Sequence, residues 1–310
     1  MSKGSAFEIL VKRILMNVGF MEVVSDGLYI YDGTAGQMLQ GVGESHNADV
    51  LLQPPVQIPF YTPSRLLIEC KDYSNSVGLN TLRSALGLRA DVNGFDIVDE
   101  RVMRARIANR RRGITYPYMR YYYQVAVASM SGFTIPAQQF ALTHRISLIN
   151  FTNMPFWADF IQRFQGRKTY IAPRQVDLMQ RIESDVEAYA DEIGRRMAVA
   201  ITETGQMLFL YQNEEDKQVA FNEYYTLHWT NTKDLWELHS GENKYVFELP
   251  TMIRAAWLNQ TSNKSVKENA INCKAQYLSH MVVYYFDGCK PQIKMISIDA
   301  YALEEARENL

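Results

Sequence analysis

The stretch Arg65-Leu66-Leu67-Ile68-Glu69-Cys70-Lys71 constrains this chain more than any other. Leu66 to Ile68 is a short apolar run, and it delivers a carboxylate at Glu69 and an amine two residues later at Lys71. Residues i and i+2 of a strand point to the same face, so the acid and the amine stand side by side while Cys70 turns into the opposite layer. A second acid, Asp49, closes Glu44-Ser45-His46-Asn47-Ala48-Asp49 and opens the apolar run Val50-Leu51-Leu52. Two strands that each offer a carboxylate at the same end can hold a hard divalent cation.

The chain has the material to bury such strands. Its 310 residues, 47% hydrophobic and 21% charged, suit one large domain or two ordinary ones. A net charge of −2 gives no global basic signal, so any nucleic-acid contact must come from local patches. Cys70, Cys273 and Cys289 are odd in number and widely spaced. They form no zinc or redox motif and fit a reducing cytoplasm. No apolar run approaches a membrane span, and Met1 to Ser5 lacks a signal-peptide core. The expectation is a soluble cytoplasmic protein without a membrane partner.

Taken in order, Ser2 or Ser5 caps a helix to about Asn17, with Gly19 as its stop. Phe7, Leu10, Val11, Ile14 and Leu15 form its buried stripe, and Glu8 beside that stripe is either a solvated first-turn acid complementing the helix dipole or an auxiliary metal or water ligand. Leu28–Tyr31 and Gln37–Val42 read as strands around the turn Asp32 to Gly36, and Gly41-Val42-Gly43 is a flexible approach to Glu44. Pro54 to Pro63 is a loop or edge excursion. Helices follow at Leu79–Val92 (Leu79, Leu82, Leu86 and Leu88 inward) and Phe95–Ala108. Next come a strand at Tyr121–Ser129, a helix at Ile135–His144 and a strand at Ile146–Phe151. This order predicts an α/β layer in residues 1–163.

Gln165 to Arg174 reads as a boundary, which leaves residues 164–310 as a second, strand-rich α+β domain. It opens with a helix from Val176 to Met197 in which Met179, Ile182, Val186, Tyr189 and Ile193 make an a/d seam. That seam docks the helix on its own domain or pairs two copies as a homo-oligomer. Strands are expected at Met197–Ile201, Met207–Tyr211, Tyr224–Trp229, Leu235–His239, Lys244–Leu249, Met281–Phe286 and Gln292–Ile298. Ser240 to Asn243 is a hairpin turn, a short helix follows Pro250, and Asn259 to Lys267 is a loop before another helix.

Asp49, Glu69-Cys70-Lys71, the upstream helix with Glu8 and the later strand and helix (Val125 to Ser129, Ala137 to Ala141) together resemble the restriction-endonuclease-like nucleases with a PD-(D/E)xK core, most closely the Mrr-like branch. The resemblance covers the first half of the chain. No proline precedes Asp49, and the Pro-rich insertion lengthens the hairpin between the two acids. The resemblance implies a mixed sheet flanked by helices and a DNA endonuclease using Mg²⁺, with Mn²⁺ as a substitute. Asp49, Glu69 and the Cys70 backbone carbonyl would hold the metal, Lys71 would assist the attacking water and the phosphate, and Glu8 would be an auxiliary catalytic residue. The branch implies bacterial defence against foreign or phage DNA.

Phosphodiester hydrolysis needs charge neutralisation, an activated water and a protonated leaving oxygen, which two acids and an amine can supply; a structural salt bridge between Glu69 and Lys71 is the plainer account of that pair. Basic residues Arg104, Arg110, Arg111 and Arg112, in the run from Arg101, make the best local patch for DNA phosphates, with Tyr116 to Tyr123 close behind. A solvated helix face is the plainer account of that run. His46 either contacts phosphate or caps a turn. The second domain would recognise DNA, sense a trigger through a protein partner or mediate assembly. A catalytically silent nucleic-acid-binding or assembly module, and an RNA-directed nuclease, share the same residues.

Overall fold

In the computed structural model, helix α1 (Ala6–Asn17) buries the stripe set by its spacing: Phe7, Leu10, Val11, Ile14 and Leu15 are at most 1% exposed. Gly19 ends it at φ +104, with its N–H donating to the Met16 carbonyl and that of Phe20 to Leu15. The structure describes residues 6–34, 36–95, 100–108, 120–164, 176–214, 217–230, 232, 234–251 and 263–308.

After the two-residue strand β1 (Met21–Glu22), β2 (Ile30–Asp32), β3 (Gln37–Gln40) and β4 (Ser45–Ala48) form a three-stranded antiparallel sheet. The expected approach to Asp49 is therefore itself a strand, because Gly41 turns the chain back to pair β4 with β3. Next, β5 (Val50–Gln53) and β6 (Ser64–Lys71) pair antiparallel, with Val50 opposite Ile68 and Leu52 opposite Leu66. Helices α2 (Leu79–Gly94) and α3 (Glu100–Ala108) lead to β7 (Tyr122–Ser129), which runs parallel to β6. Helix α4 (Ile135–His144), β8 (Ser147–Asn150) and α5 (Trp157–Phe164) complete this layer. The sheet order is β1-β5-β6-β7-β8.

Alternation along the strands splits the interior into two layers. Val50, Leu52, Leu66, Ile68, Ala126 and Ala128 face the layer of α1 and α5. Leu51, Leu67, Val125 and Val127 face the layer of α2 and α4. On α2 the buried stripe is Leu82, Ala85, Leu88 and Val92, with Leu79 and Leu86 only at its margin. Tyr122 is exposed and Tyr123 buried, as alternation requires.

Helix α6 (Val176–Gly194) buries Ile182, Val186, Tyr189 and Ile193 in the same core as α1. These four residues of the a/d seam thus pack within the chain. Arg13 and Asn17 of α1 both donate to Asp191 of α6, Arg13 through two nitrogens at 3.1 and 2.6 Å.

The strands β9 (Met197–Thr202), β10 (Met207–Gln212), β11 (Tyr224–Trp229), β12 (Leu235–Ser240), β13 (Asn243–Glu248), β14 (His280–Phe286) and β15 (Pro291–Ile298) lie within a residue of the expected ranges. Their closure into a seven-stranded barrel, ordered β10-β13-β12-β11-β15-β14-β9, was not expected. Closure depends on a parallel pairing of β11 with β15 between residues far apart in sequence, which no local pattern announces. Helix α7 (Asn263–Tyr277) occupies part of the stretch expected as a loop, and α8 (Ala300–Glu308) follows the barrel. The short helix expected after Pro250 and the Gln165 to Arg174 boundary lie outside the described residues, apart from Thr251. The architecture is a mixed α/β fold carrying a closed barrel in its C-terminal part.

Candidate active site

Antiparallel pairing brings the start of β5 to the end of β6, and this alone joins Asp49 to Glu69: they lie one step beyond the Val50–Ile68 pair. Asp49 and Glu69 share the face of Leu51 and Leu67, on the α2 side of the sheet, with Lys71. Cys70 turns into the α1 layer, as its position between them demands.

Both Asp49 oxygens are oriented. The Cys70 N–H donates to Oδ2 at 2.8 Å, and the Asn47 amide donates to Oδ1 at 3.0 Å. Burial raises the Asp49 pKa, against the pull of the Cys70 N–H and the Lys71 charge; Glu69 adds to the rise. Lys71 Nζ lies 2.8 Å from Glu69 Oε2, and both side chains keep about a fifth of their surface (21% and 19%). Burial works to lower the Lys71 pKa, but the hydrogen bond to Glu69 and the charges of Glu69 and Asp49 outweigh it, so the shift is upward. Lys71 is therefore an ammonium at neutral pH: it can donate and neutralise charge, and it cannot accept a proton.

Glu8 lies near enough for its charge to act on Cys70 from the α1 side. Burial, with the charges of Asp49 and Glu8, pushes the Cys70 thiol well above its ordinary range, which leaves it a packing group at neutral pH. His46 points elsewhere. Its Nε2 meets Asp91 Oδ2 of α2 at 2.7 Å, and the Gly43 N–H donates to Asp91 Oδ1 at 2.7 Å. Gly41 packs so closely on this carboxylate that any Cβ would collide with it. Through this contact His46 ties β4 to α2. Arg104 is exposed on α3, and Arg110, Arg111 and Arg112 lie outside the described residues.

Asn47 and Asp91 were not singled out in the sequence. Asn47 stands two residues before Asp49, the same i, i+2 spacing that links Glu69 to Lys71, so that signal was present. Asp91 had none, being 45 residues from its partner His46.

Among the described residues, no three or more His, Cys, Asp or Glu side chains are grouped to cage a metal. Two oriented carboxylates suit a different mode. Mg²⁺ keeps several of its waters and is commonly bound through one or two carboxylates together with substrate phosphate. The donor set of Asp49 and Glu69 fits that requirement.

No known family's sequence model matches the chain, and no curated protein matches it. A crystal structure described as a protein of unknown function, AF1548, is similar to it with a TM-score of 0.33 and 15% identity, over 61% of this chain and 97% of that one. Among the described residues, no helix is long and apolar enough to cross a membrane.

Proposed function

We propose that this chain is a metal-dependent endodeoxyribonuclease with a restriction-endonuclease-like core of the Mrr-like branch, acting in bacterial defence against foreign or phage DNA. The observation that carries the reading is the meeting of Asp49, Glu69 and Lys71 on one face at one end of the β5–β6 pair, with Asp49 oriented by the Cys70 N–H.

Asp49 and Glu69 would hold Mg²⁺, or Mn²⁺ in its place, with the Cys70 carbonyl as a further oxygen donor. When bound, the cation supplies charge neutralisation at the phosphate and lowers the pKa of water. Lys71, kept charged by its acidic neighbours, donates to a phosphate oxygen and stabilises charge developing there in the transition state. It also favours hydroxide over water at the attacking position. Glu69 positions the ammonium, and Asn47 and the Cys70 N–H hold the Asp49 oxygens in one orientation. Glu8, on the far side of Cys70, would steady water at the edge of the site. The exposed arginines of α3 would meet DNA phosphates, a contact without sequence preference.

The test is cleavage of supercoiled plasmid with Mg²⁺, Mn²⁺ or EDTA, comparing the parent with Asp49→Ala, Glu69→Ala and Lys71→Ala. Metal-dependent nicking is expected, and each substitution should slow it by about 10²-fold or more. Parental rates in the Lys71→Ala protein would overturn its assignment. Salt-dependent DNA binding without cleavage by the folded parent would instead favour the silent binding module.

A further inference from the structure

The carboxyl edge of the sheet continues past the candidate active site. Lys71 is registered against Ser129, and Ser129 against Asn150 at the end of β8. The Asn150 amide donates to Glu248 Oε1 on barrel strand β13, and the Asn153 N–H donates to Glu248 Oε2 at 3.1 Å. Between the sheet edge and the barrel lies a cleft open to solvent, lined by residues of both.

Its lining is one-sided. Among the described residues it includes the carboxylate of Glu248 and no lysine, arginine or histidine. Gln206 spends its Nε2 on the Ile146 carbonyl at 3.0 Å, which leaves Oε1 as its acceptor end. Thr251 spends its hydroxyl proton on Asp234 Oδ2 at 2.6 Å, so towards a ligand its oxygen can act only as an acceptor. Phe133, Phe209 and Met154 supply apolar walls. A cleft with acceptors, one acid and aromatic walls is complementary to a flat group that carries N–H donors and positive charge.

We infer that this cleft is a binding site for an amidinium or guanidinium group, carried either by a small ligand or by an arginine of a protein partner, with Glu248 as its anion. Burial pushes the Glu248 pKa up to about 7, with Asp234 adding to the rise and the Asn153 and Asn150 hydrogen bonds opposing it. Among the described residues that line the cleft, no cation stands beside this acid. This site is independent of the nuclease reading and stands or falls by binding alone.

The probes are benzamidine, its neutral isostere benzamide, and the capped tripeptide acetyl-Gly-Arg-Gly-amide, titrated into the full chain at pH 7.5 by calorimetry. Saturable binding of benzamidine, at least about tenfold tighter than benzamide and weakened at least tenfold in Glu248→Gln, is the expected result. Tripeptide binding close to that of benzamidine would point to a partner's arginine, and binding of benzamidine alone to a free ligand. If Glu248→Gln does not fold, amide-resonance shifts of the parent decide: benzamidine should move Phe133, Asn150 and Phe209 together. Equal binding of benzamide, unaltered binding by a folded Glu248→Gln protein, shifts elsewhere, or no saturable binding of either cationic probe would overturn the assignment.

Discussion

At the scale of single residues, the site depends on groups that touch no substrate. Asn47 orients Asp49 from two residues upstream. Asn47→Ala should weaken Mg²⁺-dependent cleavage roughly tenfold, the usual cost of removing a group that orients a metal ligand. Its melting temperature should stay close to the parent's, which a merely structural role would not allow. Cys70 gives the opposite expectation. With its thiol held protonated among apolar neighbours, Cys70→Ala should cut at close to the parental rate. A loss as large as that of Lys71→Ala would make the thiol a participant. Lys71 and Glu69 were legible from sequence because strand geometry alone puts them side by side. The engagement of His46 by Asp91 was not, because it depends on how α2 lies over the β3–β4 turn.

At the scale of elements, the α1–α6 contact holds the first helix to the segment that enters the barrel. Ile193→Ala should cost about 2–5 kcal/mol in chemical denaturation, as expected for a buried aliphatic truncated to alanine. Sedimentation should be unchanged by it, since the seam is already covered by α1; dissociation of an assembly would show that the seam also joins copies. The Arg13–Asp191 pair is partly open to solvent, so a double-mutant cycle should return only about 1 kcal/mol of coupling. Most helices and strands followed from periodicity, because 3.6- and 2-residue repeats survive in the sequence wherever one face is buried. The helix on which α6 packs did not follow from its heptads, since an apolar stripe does not say what covers it. α5 and α8 were also missed. α5 packs Trp157, Phe160 and Phe164 into an aromatic cluster, which reads equally well as irregular core. α8 buries nothing among its residues and so leaves no stripe to read.

At the scale of the whole molecule, Glu248 links the barrel to the sheet and makes stability depend on pH. Its folded pKa of about 7 stands above the ordinary 4.5, so the folded state binds more protons than the unfolded chain between those values. The protonated acid is therefore tolerated at low pH, and the cost of ionising it grows as pH rises through that window, reaching on the order of 3 kcal/mol above it. Relative to Glu248→Gln, the parent should lose melting temperature from about pH 4.5 to pH 7 and then run parallel; a difference that is flat across this range would place Glu248 in water. The barrel carries a second consequence. Its last strand, β15, closes the ring by pairing with both β14 and β11. Until residue 298 has left the ribosome, β11 and β14 each present an unpaired edge to the cell. The nascent barrel is thus an open sheet for most of its synthesis, and its yield in a cell should depend on chaperones that shield those edges rather than on the stability of the finished fold.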